Sequence, residues 1–256
     1  MYKIVAETLF TGKKVIYLPS CHSTNDVAVE LIHSGEQVNG TVVIADYQTQ
    51  GKGQQGNRWH SLPGQNLTLS VIWTPSFLAP SSAFALNMVV SLGVADVVQT
   101  CLPQASLWVK WANDVYVNNL KISGILIENI LQGTAIRYSV VGIGLNVNQT
   151  EFKGLPATSL KAQAGREWSL PQVFNQLMVC LEKRYLQLQQ QGYTSIKRDY
   201  LSRLYQLGQP AKYIDLRGEV PLQFEGIIKD VENAGRLVVQ TAKGIALFDL
   251  KQIKFV

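Results

Sequence analysis

Between Gln48 and Trp59 the chain reads Gln-Thr-Gln-Gly-Lys-Gly-Gln-Gln-Gly-Asn-Arg-Trp. Glycines leave backbone N–H groups open to an anion, and Lys52 and Arg58 add positive charge. Gln48, Gln54 and Gln55 add neutral hydrogen-bonding groups. Such a loop suits a phosphate beside a small polar ligand. Gly51-x-Gly53-x-x-Gly56 also fits the dinucleotide-binding pattern, but that pattern needs a helix next and an acidic residue about 20 positions on. Here the next apolar run alternates like a strand, and no Asp or Glu occurs between Asp46 and Asp96. The dinucleotide reading fails on context. A plain surface loop stays open beside the anion-binding one.

Four other stretches carry chemistry-bearing groups. Lys110-Trp111-Ala112-Asn113-Asp114 brings a lysine, an amide and an acid together, although a solvated lysine before an Asn-Asp turn fits equally well. In Lys121-Ile-Ser-Gly-Ile-Leu-Ile-Glu128 a lysine enters an apolar strand, and Gly124 leaves room for a ligand against the backbone. In Gly142-Ile-Gly-Leu-Asn146 two glycines bare one strand face, and Asn146 offers an amide suited to a purine edge. Ser23-Thr24-Asn25 precedes a helical run, where hydroxyls and an amide suit an N-cap.

The elements that must position these groups follow from periodicity. Val27, Ala28, Leu31 and Ile32 predict a helix over 26–33, and 41–45 reads as a buried strand. Residues 46–64 read as a long loop, a length usually kept for function. Leu67, Leu69, Val71 and Trp73 alternate with Thr68 and Ser70, predicting a half-exposed strand over 66–73. A core helix is expected over 81–101, then strands over 107–111, 122–130 and 138–148, with turns at Asn118-Asn119 and Gln132-Gly133. Helices are expected over 172–190 and 193–207. After Gly208-Gln209-Pro210 come short strands over 211–216, 220–231, 236–240 and 244–250, which suggest a small barrel. The expected fold is α+β: a mixed β-sheet with packed helices in residues 1–207, followed by a small C-terminal β-barrel in 208–256.

Composition narrows the class. At 46% hydrophobic and 16% charged over 256 residues, the chain is suited to a packed globular protein. A net charge of +5 fits an anionic ligand or an acidic partner, but Lys183-Arg184 is the nearest approach to a basic run, so nucleic-acid binding is not expected. Cys21, Cys101 and Cys180 are odd in number and far apart, which argues against a disulfide framework or zinc site and favours a reducing compartment. Cys180 reads as a core thiol. The start lacks a basic segment followed by an apolar core, so no secretory signal is expected. The apolar stretch 83–98 contains Asn87, Ser91 and Asp96 and reads as a core helix, not a membrane span. Cytoplasm is the expected location.

Taken together and in order, these five stretches resemble the biotin–protein ligases. That family carries Ser-Thr-Asn; Gln-x-x-Gly-Arg-Gly-Arg-x-Gly-Arg-x-Trp; Lys-Trp-Pro-Asn-Asp; Lys-x-x-Gly-Ile-Leu-x-Glu; and Gly-x-Gly-x-Asn. The resemblance covers at least residues 23–148, and the β-rich tail is similar to the small barrel that usually follows. It implies a class II synthetase-like catalytic domain that joins biotin to ATP and passes it to a lysine of a biotin carrier protein, the acetyl-CoA carboxylase subunit being the usual acceptor. Magnesium is implied as the metal, with no ligand residue identified. A homodimer is left open. Lipoate–protein ligase and a non-catalytic biotin or adenylate sensor are the alternatives.

The resemblance also implies roles. Lys121, Asp114 and Lys52 become the catalytic groups. Ser23, Thr24, Asn25, Gln48, Lys52, Gly53, Gln54, Lys121 and Gly124 become the biotin site. Gly51, Lys52, Gln54, Gln55, Arg58, Trp59, Lys110, Asn113 and Asn146 become the ATP site, and Lys251 an approach to the nucleotide from the tail. Cations at Lys52, Lys121 and Arg58 would ease the attack of a carboxylate on a phosphate. Three departures stand out. Lys52 and Gln54 replace arginines, which lowers the fork-shaped donor capacity of the loop and implies a looser hold on the adenylate. Ala112 replaces a proline. Nothing like the N-terminal helix-turn-helix of the bifunctional ligase–repressors precedes these motifs, so DNA binding is not expected.

Overall fold

A computed structural model describes the chain except residues 1, 3, 4, 6 and 37, and gives Gln55 by its backbone alone. The start read for a targeting signal thus lies partly outside the described residues.

A seven-stranded mixed sheet forms the larger layer: β1 (Val15–Cys21), β2 (Thr41–Gln48), β3 (Leu67–Trp73), β4 (Leu107–Lys110), β5 (Asp114–Val117), β6 (Leu120–Gln132) and β7 (Ala135–Leu145). Their spatial order is β1-β2-β3-β7-β6-β5-β4. Only β1 and β2 run parallel, joined by the crossover helix α1 (Thr24–Ser34). The turns at Asn118-Asn119 and Gln132-Gly133 close the β5–β6 and β6–β7 hairpins, with φ of +50°, +63° and, at Gly133, +60°. Positive φ suits Asn and Gly, so the turn residues were a sound signal.

α1 covers one face through Ala28 and Ile32, which pack on Val43, Ile72 and Val140. The opposite face is covered by α2 (Phe84–Cys101) and α4 (Leu170–Ser202). These two helices approach closely at Gly93, where a Cβ would lie 2.9 Å from Leu181. Pro80–Cys101 is long and apolar enough to span a bilayer, but 67% of its apolar window is buried inside the protein, so it is a core helix. The short helix α3 (Leu160–Ala164) is capped by Ser159, whose hydroxyl accepts from the Ala162 N–H. Glycine breaks α4 at Gly192, φ +77°, which accounts for the two predicted helices; the second stops at Ser202 rather than 207.

β3 is not half-exposed as its alternation suggested. Every residue of it is buried, because β2 and β7 flank it and both faces are covered. Of its polar residues, Thr68 donates its hydroxyl to Ala45 O of β2, and Ser70 meets Thr24 and Asn25 of α1, where it becomes part of a site.

The tail forms β8 (Pro210–Asp215), β9 (Leu222–Val231), β10 (Leu237–Thr241), β11 (Gly244–Phe248) and β12 (Ile253–Phe255), an antiparallel five-stranded barrel in the order β11-β10-β9-β8-β12. Tyr213, Ile228 and Leu237 of the barrel join the same hydrophobic cluster as the large sheet. Trp111, expected in β4, lies just beyond it and donates its indole N–H to Gly235 O at 2.9 Å. Lys197 on α4 pairs with Asp230 on β9 at 2.7 Å.

Candidate active site

The Ser23-Thr24-Asn25 turn opens α1 but makes no side-chain cap. Its polar groups are used elsewhere. Gln48, at the end of β2, accepts from the Thr24 backbone N–H at 2.8 Å. The Thr24 hydroxyl sits 2.7 Å from that of Ser70 on β3. Asn25 bonds Ser70 at 2.6 Å through Oδ1 and donates through Nδ2 to Glu128 at 2.6 Å. This row of side chains is the floor of a cleft between α1 and the sheet.

The wall of the cleft is glycine. Gly124 on β6 and Gly144 on β7 stand opposite each other. A Cβ on Gly144 would fall 2.2 Å from Cε2 of Trp59, and one on Gly142 would fall 2.4 Å from Asn25 Oδ1. The Trp59 indole and the end of the Lys121 side chain pack close to Gly124, which lines the cavity. The indole N–H is buried and has no hydrogen-bond partner among the described residues.

Trp59 is carried by the glycine-rich segment, which pairs its own backbone across the loop. Lys52 bridges Arg58, Gly53 N–H donates to Asn57 O at 2.7 Å, and Trp59 N–H donates to Gly51 O at 2.9 Å. The tip is a single 3-10 turn, Gln54–Gly56. The result is a small hairpin flap, tied to α1 by the Lys52–Asp26 ion pair.

Opposite the flap, Lys121 rises from the start of β6. Its ammonium is 2.7 Å from Asp114 and 5.7 Å from the centre of the Trp59 ring. A register shift between Val115 and Tyr116 in the β5–β6 pair sits beside these two residues, and such bulges re-aim side chains. The Lys121 backbone is clamped by Pro156 O and the Thr158 N–H. Lys110 points elsewhere. Its ammonium lies over Tyr116 at 4.9 Å and over Phe255 of β12 at 5.0 Å. Burial there pulls Lys110 below the ordinary lysine range, against the opposing pull of Asp114.

One cavity of about 230 Å³ joins these parts: Ser23, Thr24 and Asn25, Gln48, the flap, Asn113, Asp114, Lys121 and the glycine wall all line it. Residues 17–146 match the biotin/lipoate A/B protein ligase family. The chain belongs to this family. It is 32% identical over 248 residues to the bifunctional ligase/repressor BirA of Bacillus subtilis, covering 93% of this chain and 73% of that protein. It is 31% identical over 219 residues to the biotin–[acetyl-CoA-carboxylase] ligase of Mycobacterium tuberculosis, covering 84% and 79%. The Aquifex aeolicus biotin protein ligase in complex with biotin and ATP superposes with a TM-score of 0.78 at 25% identity, covering 95% of this chain and all of that one.

Within this family member, the site residues expected from sequence divide into two groups. Ser23, Thr24, Asn25, Gln48, Lys52, Gly53, Gln54, Arg58, Trp59, Asn113, Asp114, Lys121 and Gly124 line the cavity. Gly51, Lys110, Asn146 and Lys251 do not. Gly51 is packed behind Trp59, its virtual Cβ 2.5 Å from the Trp59 carbonyl. Asn146 is buried and donates to Thr158 O at 2.9 Å. Lys251 sits on the turn before β12. The Gln55 side chain lies outside the described residues. Sequence reasoning missed Leu69, Ile125, Leu126 and Ile143, the apolar part of the lining, and Ser70 and Glu128 beneath it. Ser70 was read as strand alternation; only the packing of α1 on β3 turns it into part of a floor. Among the described residues no cluster of three or more His, Cys, Asp or Glu forms a metal cage.

Proposed function

We propose that this chain activates biotin with ATP as biotinyl-5'-AMP, releasing pyrophosphate, and transfers the biotinyl group to a lysine of a biotin carrier protein such as the acetyl-CoA carboxylase subunit, releasing AMP. The observation that carries the reading is the convergence of the Ser23–Asn25 floor, the flap and Lys121 on one cavity.

In the first step one anion attacks another: the biotin carboxylate meets the α-phosphorus of ATP. Lys121, Lys52 and Arg58 supply the positive charge that lowers this barrier. The flap lifts from the glycine wall to admit the nucleotide and then shuts water away from the anhydride. In the second step a neutral carrier amine attacks the acyl carbon. Once the ligand's oxygens draw Lys121 away, Asp114 is released to orient that amine and take its proton. Magnesium would arrive with the nucleotide, held chiefly by its phosphates, as is usual for this ion.

We assign residues 1–207 to the catalytic part and 208–256 to the barrel, and the cytoplasm as the location, which the three free cysteines favour. The test is direct. Purified protein is given ATP and magnesium with biotin or with lipoate, and pyrophosphate release and carrier labelling are followed. Biotin-dependent labelling is expected. Lipoate-dependent labelling, or biotin binding without turnover, would overturn the proposal.

A further inference from the structure

The polar floor has a direction, and it is set from outside the cavity. Glu128 is a carboxylate on β6 and can only accept. It therefore draws Asn25 Nδ2 to itself at 2.6 Å; the Leu126 carbonyl on the same side is 3.5 Å away, at the limit of a hydrogen bond. Asn25 Oδ1 is left facing the Ser70 hydroxyl at 2.6 Å. An amide oxygen also only accepts, so the single Ser70 proton is committed to it. Ser70 then offers Thr24 nothing but lone pairs across their 2.7 Å contact, and the Thr24 proton points down to Ser70. The other place for that proton is Gln48 Oε1, 3.1 Å away and already bonded by the Thr24 backbone N–H.

Turning the Asn25 amide over would reverse every link. Ser70 would donate to Thr24, Thr24 would donate to Gln48, and one of the two Thr24 lone pairs would be consumed. The bare backbone at Gly142 makes room for Asn25 Oδ1, since a Cβ there would stand 2.4 Å from it. Thr24, Asn25 and Ser70 are buried to 97% or more, so water does not blur the direction.

We infer that Glu128 is a positioning residue that fixes the hydrogen-bond polarity of the cavity floor, holding the Thr24 proton towards Ser70 and keeping both Thr24 lone pairs open to a ligand that carries an N–H donor. This rests on the biotin reading above. It supplies a physical reason for choosing a cyclic urea, which has N–H donors, over a dithiolane, which has none.

The experiment is calorimetric titration of biotin, with lipoate as control, into wild type, Glu128→Gln, Glu128→Met, Ser70→Ala and the double variant Glu128→Met/Ser70→Ala. Unfolding temperatures are recorded alongside. Gln can accept from Asn25 but can also donate to it, so it fixes the direction less firmly and should bind biotin more weakly than wild type and more tightly than Met. Met cannot and should weaken binding about five- to tenfold, the size of one neutral hydrogen bond. Ser70→Ala should weaken it with the same sign. Because Glu128 acts through Ser70, the Met substitution should cost nothing further in the Ser70→Ala background. Wild-type affinity in the Met or Ser70→Ala variant overturns the relay. So does a Gln variant as weak as Met, or a Met effect that persists undiminished without Ser70. Failure of wild type to bind biotin sinks the functional reading itself, which is a separate result.

Discussion

Asp114 and Lys121 face each other at 2.7 Å across the β5–β6 pair, so the acid and the cation of the proposed reaction neutralise one another before any ligand arrives. The two half-reactions should separate them. Lys121→Ala is expected to lower pyrophosphate release by about 100-fold or more, as the loss of a preorganised charge does. Asp114→Asn is expected to spare adenylate formation and slow carrier labelling by about 100-fold, the size of a lost general base. Pyrophosphate release and labelling, measured on the same samples, check both. Equal losses in the two steps for Asp114→Asn would remove its role in transfer.

The Lys52–Asp26 pair latches the flap to α1. Both side chains are partly exposed, so Asp26→Asn should change stability by less than about 1 kcal/mol. The latch should matter to retention instead. A pulse of labelled biotin with ATP, followed by an unlabelled chase, should show severalfold faster loss of the adenylate from the variant. Release from wild type should quicken with salt and approach the variant's rate, because salt screens the pair.

Trp59 depends on the missing side chain at Gly144. A methyl group there, 2.2 Å from Cε2 of the indole, has to expel the ring. Gly144→Ala is expected to raise KM for ATP about tenfold or more, in keeping with roughly 1–3 kcal/mol for overpacking a close contact. Unchanged ATP kinetics would separate the flap from the nucleotide.

Lys110 gives a pH signature. Burial beside Tyr116 and Phe255 pulls its pKa down, so the folded chain binds that proton less tightly than the unfolded one. Protonation thus opposes folding below the folded pKa, and the penalty fades as pH rises to about 10.4, the ordinary lysine value. Lys110→Met removes the penalty. Its Tm should exceed that of wild type at pH 7, and the gap should narrow by pH 10. A gap that widens with pH would contradict the assignment.

Much of this protein could be read along the chain. The motifs, the core helix 84–101 and the hairpin turns are local signals: glycines where φ is positive or backbone must be bare, and apolar residues at the helix or strand period. The likeness of the motifs, in their order, to the biotin–protein ligases is what implied one functional set of Lys121, Asp114, Trp59 and the Ser23–Asn25 turn. Tertiary structure decided the rest, because it depends on what each face meets. Alternation made β3 look half-exposed, and α1 buried its polar side. Lys110 sits in a motif, yet the barrel's last strand captures it with an aromatic ring. Ser70 and Glu128 carry no motif meaning of their own. They acquire a role only when β3, α1 and β6 bring one hydroxyl, one amide and one carboxylate within hydrogen-bond reach, where the number of protons available fixes which way each bond points.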